Sequence, residues 1–150
     1  MRRGVRLGVD VGKARVGVAR SDPDGLLAVP VETLPRAEAL DKLAALSADY
    51  DALEIIVGLP ISLRGTDTAS TTDAREFAVQ LSQKVGVPVR LVDERLSTVS
   101  AQQMLTSGGT EARKQRHIID QASAVIILQH SLDQERRTGA APGAQVGEGE

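Results

Sequence analysis

Val5, Leu7, Val9 and Val11 alternate with Gly4, Arg6, Gly8 and Asp10, the period of two that marks a half-buried strand. Gly12 and Lys13 follow as a turn, and Val16 and Val18 resume the alternation across 15–20. That arrangement predicts a hairpin. A third extended stretch spans 26–34, after the turn sequence Asp22-Pro23-Asp24-Gly25. Leu40, Leu43, Ala44 and Ser47 then fall at helical spacing. Residues 53–57 form a short apolar run rich in β-branched side chains, ended by Gly58-Leu59-Pro60, which predicts a buried strand.

Thr72 or Asp73 can cap a second helix, whose Ala74, Phe77, Ala78, Leu81 and Val85 share one face. Residues 89–92 read as another short buried strand. Ser97 opens a helix that stops near Gly108-Gly109, and a last helix runs over about 113–132. Three strands joined by short turns must be antiparallel neighbours, whereas strands separated by helices run parallel to the first. The expected fold class is α/β, a mixed five-stranded sheet, its first three strands antiparallel, with helices on both faces. Residues 1–132 form one domain in this reading. Residues 133–150, rich in Gly, Ala, Pro and Glu without apolar periodicity, are expected to be a flexible C-terminal tail.

Composition narrows the function classes. The 150 residues contain no cysteine, which excludes disulfides, thiolate metal sites and thiol nucleophiles. One Tyr and one Phe are too few for the stacking platforms of sheet-type RNA readers. No apolar run approaches the ~20 residues of a membrane span, and the first residues lack the apolar stretch of a secretory signal. A cytoplasmic protein without a membrane partner is the expectation. The net charge of −2 argues against a general polyanion binder. Locally the balance differs, because residues 1–20 carry six basic side chains against Asp10 alone.

Three acids interrupt otherwise apolar or strand-end sequence. Asp10 sits in the first strand, flanked on its own face by Gly8 and Gly12, which leave room for a ligand or a close backbone. Asp and Glu are depleted in strands, and a buried carboxylate is costly without a partner or a metal. The plainer reading of Asp10 is a turn-proximal acid bonded to backbone amides. Glu94, in Asp93-Glu94-Arg95, follows a strand end, where sites form in open α/β sheets. Its plainer reading is a helix-cap cluster ahead of Ser97. Asp120 lies in the last helix beside a largely apolar surface, and taken singly is explained by the helix dipole.

Together the three acids could converge from two strand ends and a packed helix. Three such carboxylates would repel one another in a low-dielectric cleft. Mg²⁺ or Mn²⁺ would remove that repulsion, and both prefer oxygen ligands. Two such ions can activate a water and stabilise the leaving oxygen of a phosphodiester. Metal-assisted phosphodiester hydrolysis is therefore the sharpest hypothesis, with Asp10, Glu94 and Asp120 as metal ligands and catalytic residues. Lys13 and Arg15 follow Asp10, Arg95 follows Glu94, and Arg113, Lys114 and Arg116 precede Asp120. These are the candidate phosphate contacts, although for any one of them alone a solvated surface charge is the favoured reading. Residues 64–67 are expected to form a mobile loop at the same edge.

Residues 7–22 (LGVDVGKARVGVARSD), 56–60 (IVGLP), 93–98 (DERLST) and 119–129 (IDQASAVIILQ) resemble the YqgF (RuvX) family in order and spacing. The resemblance covers about residues 5–132. It implies a ribonuclease-H-like fold and carries the family's acids onto Asp10, Glu94 and Asp120. It also implies a nuclease for the 5′ end of precursor 16S ribosomal RNA, or alternatively a Holliday-junction resolvase acting on four-way DNA. The partner is accordingly a structured RNA precursor or branched DNA. Junction resolution would require two active sites and hence a homodimer. Ser97 stands where the family often has Thr, and Gln121 and Ser123 where Lys and Ala are common. Loss of that Lys removes a phosphate contact and leaves the carboxylates intact.

Two other classes compete. An ATP-binding module of the actin and sugar-kinase type also uses an Asp-x-Gly strand, but clamps nucleotide between two domains that 150 residues cannot supply. A non-catalytic nucleic-acid-binding protein could keep this fold with dispensable acids. A P-loop is absent from the sequence.

Overall fold

In the computed structural model the described residues are 2–62, 64–94 and 112–146, the side chains of 112–120 excepted. Strand β1 (Arg6–Val11), β2 (Arg15–Ser21) and β3 (Ala28–Pro35) precede a 3₁₀ turn (Arg36–Glu38) and helix α1 (Ala39–Asp49). Then come β4 (Glu54–Leu59), α2 (Ala69–Lys84), β5 (Val89–Asp93), α3 (Ala112–Thr138) and β6 (Ala144–Gln145). The sheet order is β3-β2-β1-β4-β5-β6. As expected, β1, β2 and β3 are antiparallel neighbours, and β4 and β5 run parallel to β1. The helix expected to start at Ser97 falls outside the described residues.

Alternation along the strands divides the core in two. Leu7, Val9, Val16, Val18, Ile55 and Val57 point to one side, where Leu43 of α1 and Phe77 and Leu81 of α2 cover them. Ala19 and Ile56 point to the other, against Ala124, Ile127, Leu128 and Leu132 of α3. On that second side a Cβ at Gly8 would lie 2.7 Å from Leu128 Cβ and 2.9 Å from the Ala124 carbonyl oxygen. Gly8 therefore serves close packing of α3 on β1, one of the two uses a strand glycine can have.

Among the described residues the sheet has six strands where five were expected. The extra one, β6, pairs antiparallel with β5 through Arg90–Gln145 and Leu91–Ala144, and the Val146 amide donates to the Val89 carbonyl at 2.8 Å. Gly143, at φ +63°, makes the approach possible, since a Cβ there would collide with the Leu91 carbonyl and Val92. Where a flexible tail was expected from residue 133, α3 continues to Thr138. Its last turns are anchored by charge instead of by apolar periodicity. Glu135, 3% exposed, accepts from Arg6 Nη2 at 2.9 Å and is paired with Arg2.

Helix α2 begins earlier than Thr72. Thr68 Oγ1 accepts from the Thr71 amide at 3.3 Å, and the Thr68 amide donates to Thr71 Oγ1 at 2.8 Å, a reciprocal cap. Among the described residues no helix is long and apolar enough to cross a membrane.

Candidate active site

Arg6, Gly8 and Asp10 share the α3-facing side of β1, because strand side chains alternate. Arg6 meets Glu135 near the end of α3, and Gly8 lies under Leu128 and Ala124. The helix thus runs opposite to β1, and its earlier turns lie toward Asp10. Gln121 Nε2 donates to Thr33 Oγ1 at 3.0 Å, Thr33 pairs with Gly17, and Gly17 pairs with Asp10. Gln121 therefore reaches the row of the sheet that contains Asp10.

On the other side of β1, Gly8 pairs with Ile56 and Val9 with Val57. One step further, at the carboxyl ends of both strands, Asp10 stands beside Gly58, with strands spaced roughly 4.8 Å apart. Gly58 pairs with Val92 of β5, and the chain then turns so that the Glu94 amide donates to the Leu59 carbonyl at 3.3 Å. The Glu94 side chain folds back over Gly58. A Cβ at Gly58 would collide with Glu94 Oε2 and with Ile127 Cδ1. Glycines thus flank Asp10 in both neighbouring strands, and the space over one of them is filled by a second carboxylate.

Glu94 is 9% exposed. Burial, followed by the charge of neighbouring Asp93, pushes its carboxyl up to about 7. Asp10 is half-buried, and Asp93 is exposed. Asp120 lies on the α3 backbone directly before Gln121, while its side chain is outside the described residues. Arg95 is outside them altogether. Arg113, Lys114 and Arg116 lie in the opening turns of α3, their side chains again outside the description. Lys13 is exposed and Arg15 half-buried, both on the turn after Asp10.

The segment after β4 is braced, contrary to the expectation of a mobile loop over 64–67. Ile61 and Asp67 form a bridge. The Ser62 amide donates to the Thr66 carbonyl at 3.0 Å, and the Thr66 amide to Ser62 Oγ at 3.1 Å. Thr71 Oγ1 caps the Pro60 carbonyl. Sequence reasoning also missed Gly58, the glycine over which the Glu94 carboxylate folds beside Asp10. A glycine inside a buried apolar strand is the signal that marks Gly58.

The fold and the sequence both have counterparts among known proteins. The solved structure of T. thermophilus RuvC in complex with Holliday junction substrate matches with a TM-score of 0.59 at 18% identity, covering 95% of this chain and 99% of that one. At that identity the likeness is one of fold, which is ribonuclease-H-like. A protein of Clavibacter michiganensis subsp. michiganensis, named as a candidate pre-16S rRNA nuclease, is 56% identical over 150 residues, covering 97% of this chain and 93% of the relative. A Thermobifida fusca protein of the same name is 52% identical over 155 residues, covering 97% and 98%. Residues 4–134 match the family model RuvX, described as Holliday junction resolvase. Matched over that span and more than half identical to relatives along nearly its whole length, the chain belongs to the RuvX (YqgF) family.

Proposed function

We propose that the chain is a divalent-cation-dependent endonuclease whose substrate is the 5′ region of precursor 16S ribosomal RNA. The observation that carries this reading is that Asp10 follows Val9, which pairs with Val57, while the Glu94 carboxylate folds over Gly58, the next residue of the adjoining parallel strand. Ligand sites in open α/β sheets form at those ends. The names carried by the Clavibacter and Thermobifida relatives supply the substrate, and a cytoplasmic location goes with it.

The donors fit a hard cation. They are carboxylate oxygens, the set that Mg²⁺ and Mn²⁺ prefer. Burial and Asp93 disfavour the charged form of Glu94, and a nearby cation is what would favour it. Asp10, Glu94 and Asp120 would hold the ion or ions. When bound, they supply charge neutralisation at the scissile phosphate and lower the pKa of water. The chain's own residues orient the substrate. Lys13 and Arg15 on the turn after Asp10 contact backbone phosphates, which set register without reading sequence, and the sequence assigns Arg95, Arg113, Lys114 and Arg116 to the same role. Gly58, without a side chain, lets the Glu94 carboxylate lie close against the strand beside Asp10. A carboxylate near the phosphate also takes up the proton that water releases on attack.

The description of the family model and the likeness to junction-bound RuvC favour a second reading, resolution of four-way DNA by a homodimer. One experiment separates the two. Purified protein is given end-labelled precursor 16S 5′ fragments and four-way junctions, with Mn²⁺, Mg²⁺ or chelator. The expected result is cation-dependent cleavage at a single position in the RNA. Asp10→Asn, Glu94→Gln and Asp120→Asn should each lose about 10³-fold or more in rate, as for removal of a principal catalytic group. Symmetrically paired cuts in the junction would transfer the reading to resolution. Wild-type rates in Asp10→Asn would refute both.

A further inference from the structure

The turn that carries Lys13 and Arg15 is held from outside by one side chain. Arg36, in the 3₁₀ turn after β3, donates from Nη1 to the Gly12 carbonyl at 2.9 Å. The same guanidinium forms a two-pronged pair with Asp73 of α2, Nη1 to Oδ2 at 2.9 Å and Nη2 to Oδ1 at 2.8 Å. Its Cζ lies over the Phe77 ring, 5.1 Å from the centroid. Its backbone amide donates to the Ala14 carbonyl at 2.9 Å. Within the turn, the Gly12 amide donates to the Arg15 carbonyl at 2.9 Å. Arg36 thus fixes Gly12 and Ala14, on either side of Lys13, and ties them to a helix.

The chemistry of these contacts is specific to arginine. A planar fork can grip a carboxylate with both prongs, keep a third hydrogen bond to a carbonyl and stack on an aromatic ring together. A lysine at the same place keeps the charge but cannot make that set. Lys13 adds to the field around Asp73, so the phosphate-facing turn and the Arg36–Asp73 pair share one electrostatic neighbourhood. Gly12 lies two residues beyond Asp10. Movement of the turn would displace the phosphate contacts while leaving Asp10, inside the paired strand, in place.

We propose that Arg36, locked by Asp73, is a positioning residue that sets the Lys13–Arg15 turn for binding the nucleic-acid backbone. This inference rests on the proposed nuclease reading for its substrate. Binding without cleavage keeps the two separable. Affinity for a fluorescein-labelled precursor 16S 5′ fragment would be read by anisotropy in Ca²⁺, at a temperature well below unfolding. The variants are Arg36→Lys, Asp73→Asn, the double variant Lys13→Ala/Arg15→Ala, and Arg36→Lys added to that double variant. Arg36→Lys and Asp73→Asn should each weaken binding about tenfold and lower the salt slope by about one, the signature of a lost phosphate contact. In the background lacking Lys13 and Arg15, Arg36→Lys should have less than about a twofold further effect, because coupled residues are non-additive. Cleavage in Mn²⁺ should show a raised KM with kcat nearly unchanged.

An undiminished tenfold loss in that background would overturn the proposal, as would wild-type affinity in Arg36→Lys. Wild-type protein that binds but cuts neither RNA nor junction would refute the hydrolase alone, and the binding cycle would still decide the role of Arg36. Wild-type protein that binds neither would refute both.

Discussion

Glu135 and Glu94 are buried at opposite ends of the sheet, and the protein treats the two carboxyls in opposite ways. Burial raises both. At Glu135 the hydrogen bond and charge of Arg2, with the charge of Arg6, outweigh it and hold the carboxyl below its ordinary range. At Glu94 the neighbouring charge is Asp93, which adds to burial and leaves the carboxyl at about 7. The amino end of the sheet extends the compensation further. Glu54, fully buried, accepts from Arg90 Nε at 2.5 Å and from Arg2 Nη2 at 2.5 Å. At one end of the sheet arginines pull a buried carboxyl down, and at the other burial and a neighbouring carboxylate push one up. The first arrangement serves cohesion. The second matches the proposed site, since perturbed carboxyls cluster where ligands and chemistry are handled.

Breaking the compensated end should have the largest effect on folding. Glu135→Ala would leave the buried Arg6 without its carboxylate, at a cost of about 3–5 kcal/mol. Urea unfolding checks this, and cleavage per folded molecule should remain close to wild type. The pH dependence carries the same contrast. Glu135, with its pKa lowered in the folded state, contributes stability above its ordinary pKa that is lost as pH falls through the acid range.

Glu94 behaves in the opposite sense. With a folded pKa of about 7 against an ordinary 4.5, the folded state binds the extra proton between those values, so stability falls as pH rises through that window. The full shift corresponds to ~3 kcal/mol. Glu94→Gln should therefore be more stable than wild type by up to that amount above pH 8 in chelator, and equal to it near pH 4. A constant difference across the range would show that Glu94 is not the titrating group.

A smaller effect sharpens the comparison at the floor of the site. Gly58→Ala places a methyl where Glu94 Oε2 and Ile127 Cδ1 lie. Crowding of that kind costs about 1–3 kcal/mol. Cleavage should fall more than stability alone explains, because the displaced group is the Glu94 carboxylate. Gly86→Ala, with open space around its Cβ position, serves as the control, changing unfolding by no more than about 0.5 kcal/mol.

The strands of the sheet were legible because alternation and short β-branched runs report which side of a strand meets the core. Leu7, Val9, Val57 and Val89 carried that signal. Asp10 and Glu94 stood out in the sequence as acids at strand ends, although each also had a plainer local reading. The ordered end of the chain was not legible. Periodicity records apolar burial, and the last turns of α3 are held by Glu135 bridging to Arg2 and Arg6, partners 133 and 129 residues away. The short strand β6 depends on one glycine, Gly143, at positive φ, which composition alone reads as tail. The same limit hid Arg36, whose four attachments lie on two other segments, the turn at 12–14 and helix α2. The start of α2 was misjudged because Thr68 and Thr71 cap each other, which left Asp73 free for Arg36.

The central claim is that the acid-rich end of the sheet is a cation site, and unfolding in the presence of Mg²⁺ or Mn²⁺ tests it most directly. At pH 8 the wild-type midpoint should climb with cation concentration, reaching ~2.7 kcal/mol of added stability at a hundred times Kd. Asp10→Asn and Glu94→Gln should show little or none of that gain. A wild-type midpoint indifferent to either cation, or an equal rise in all three proteins, would contradict the account.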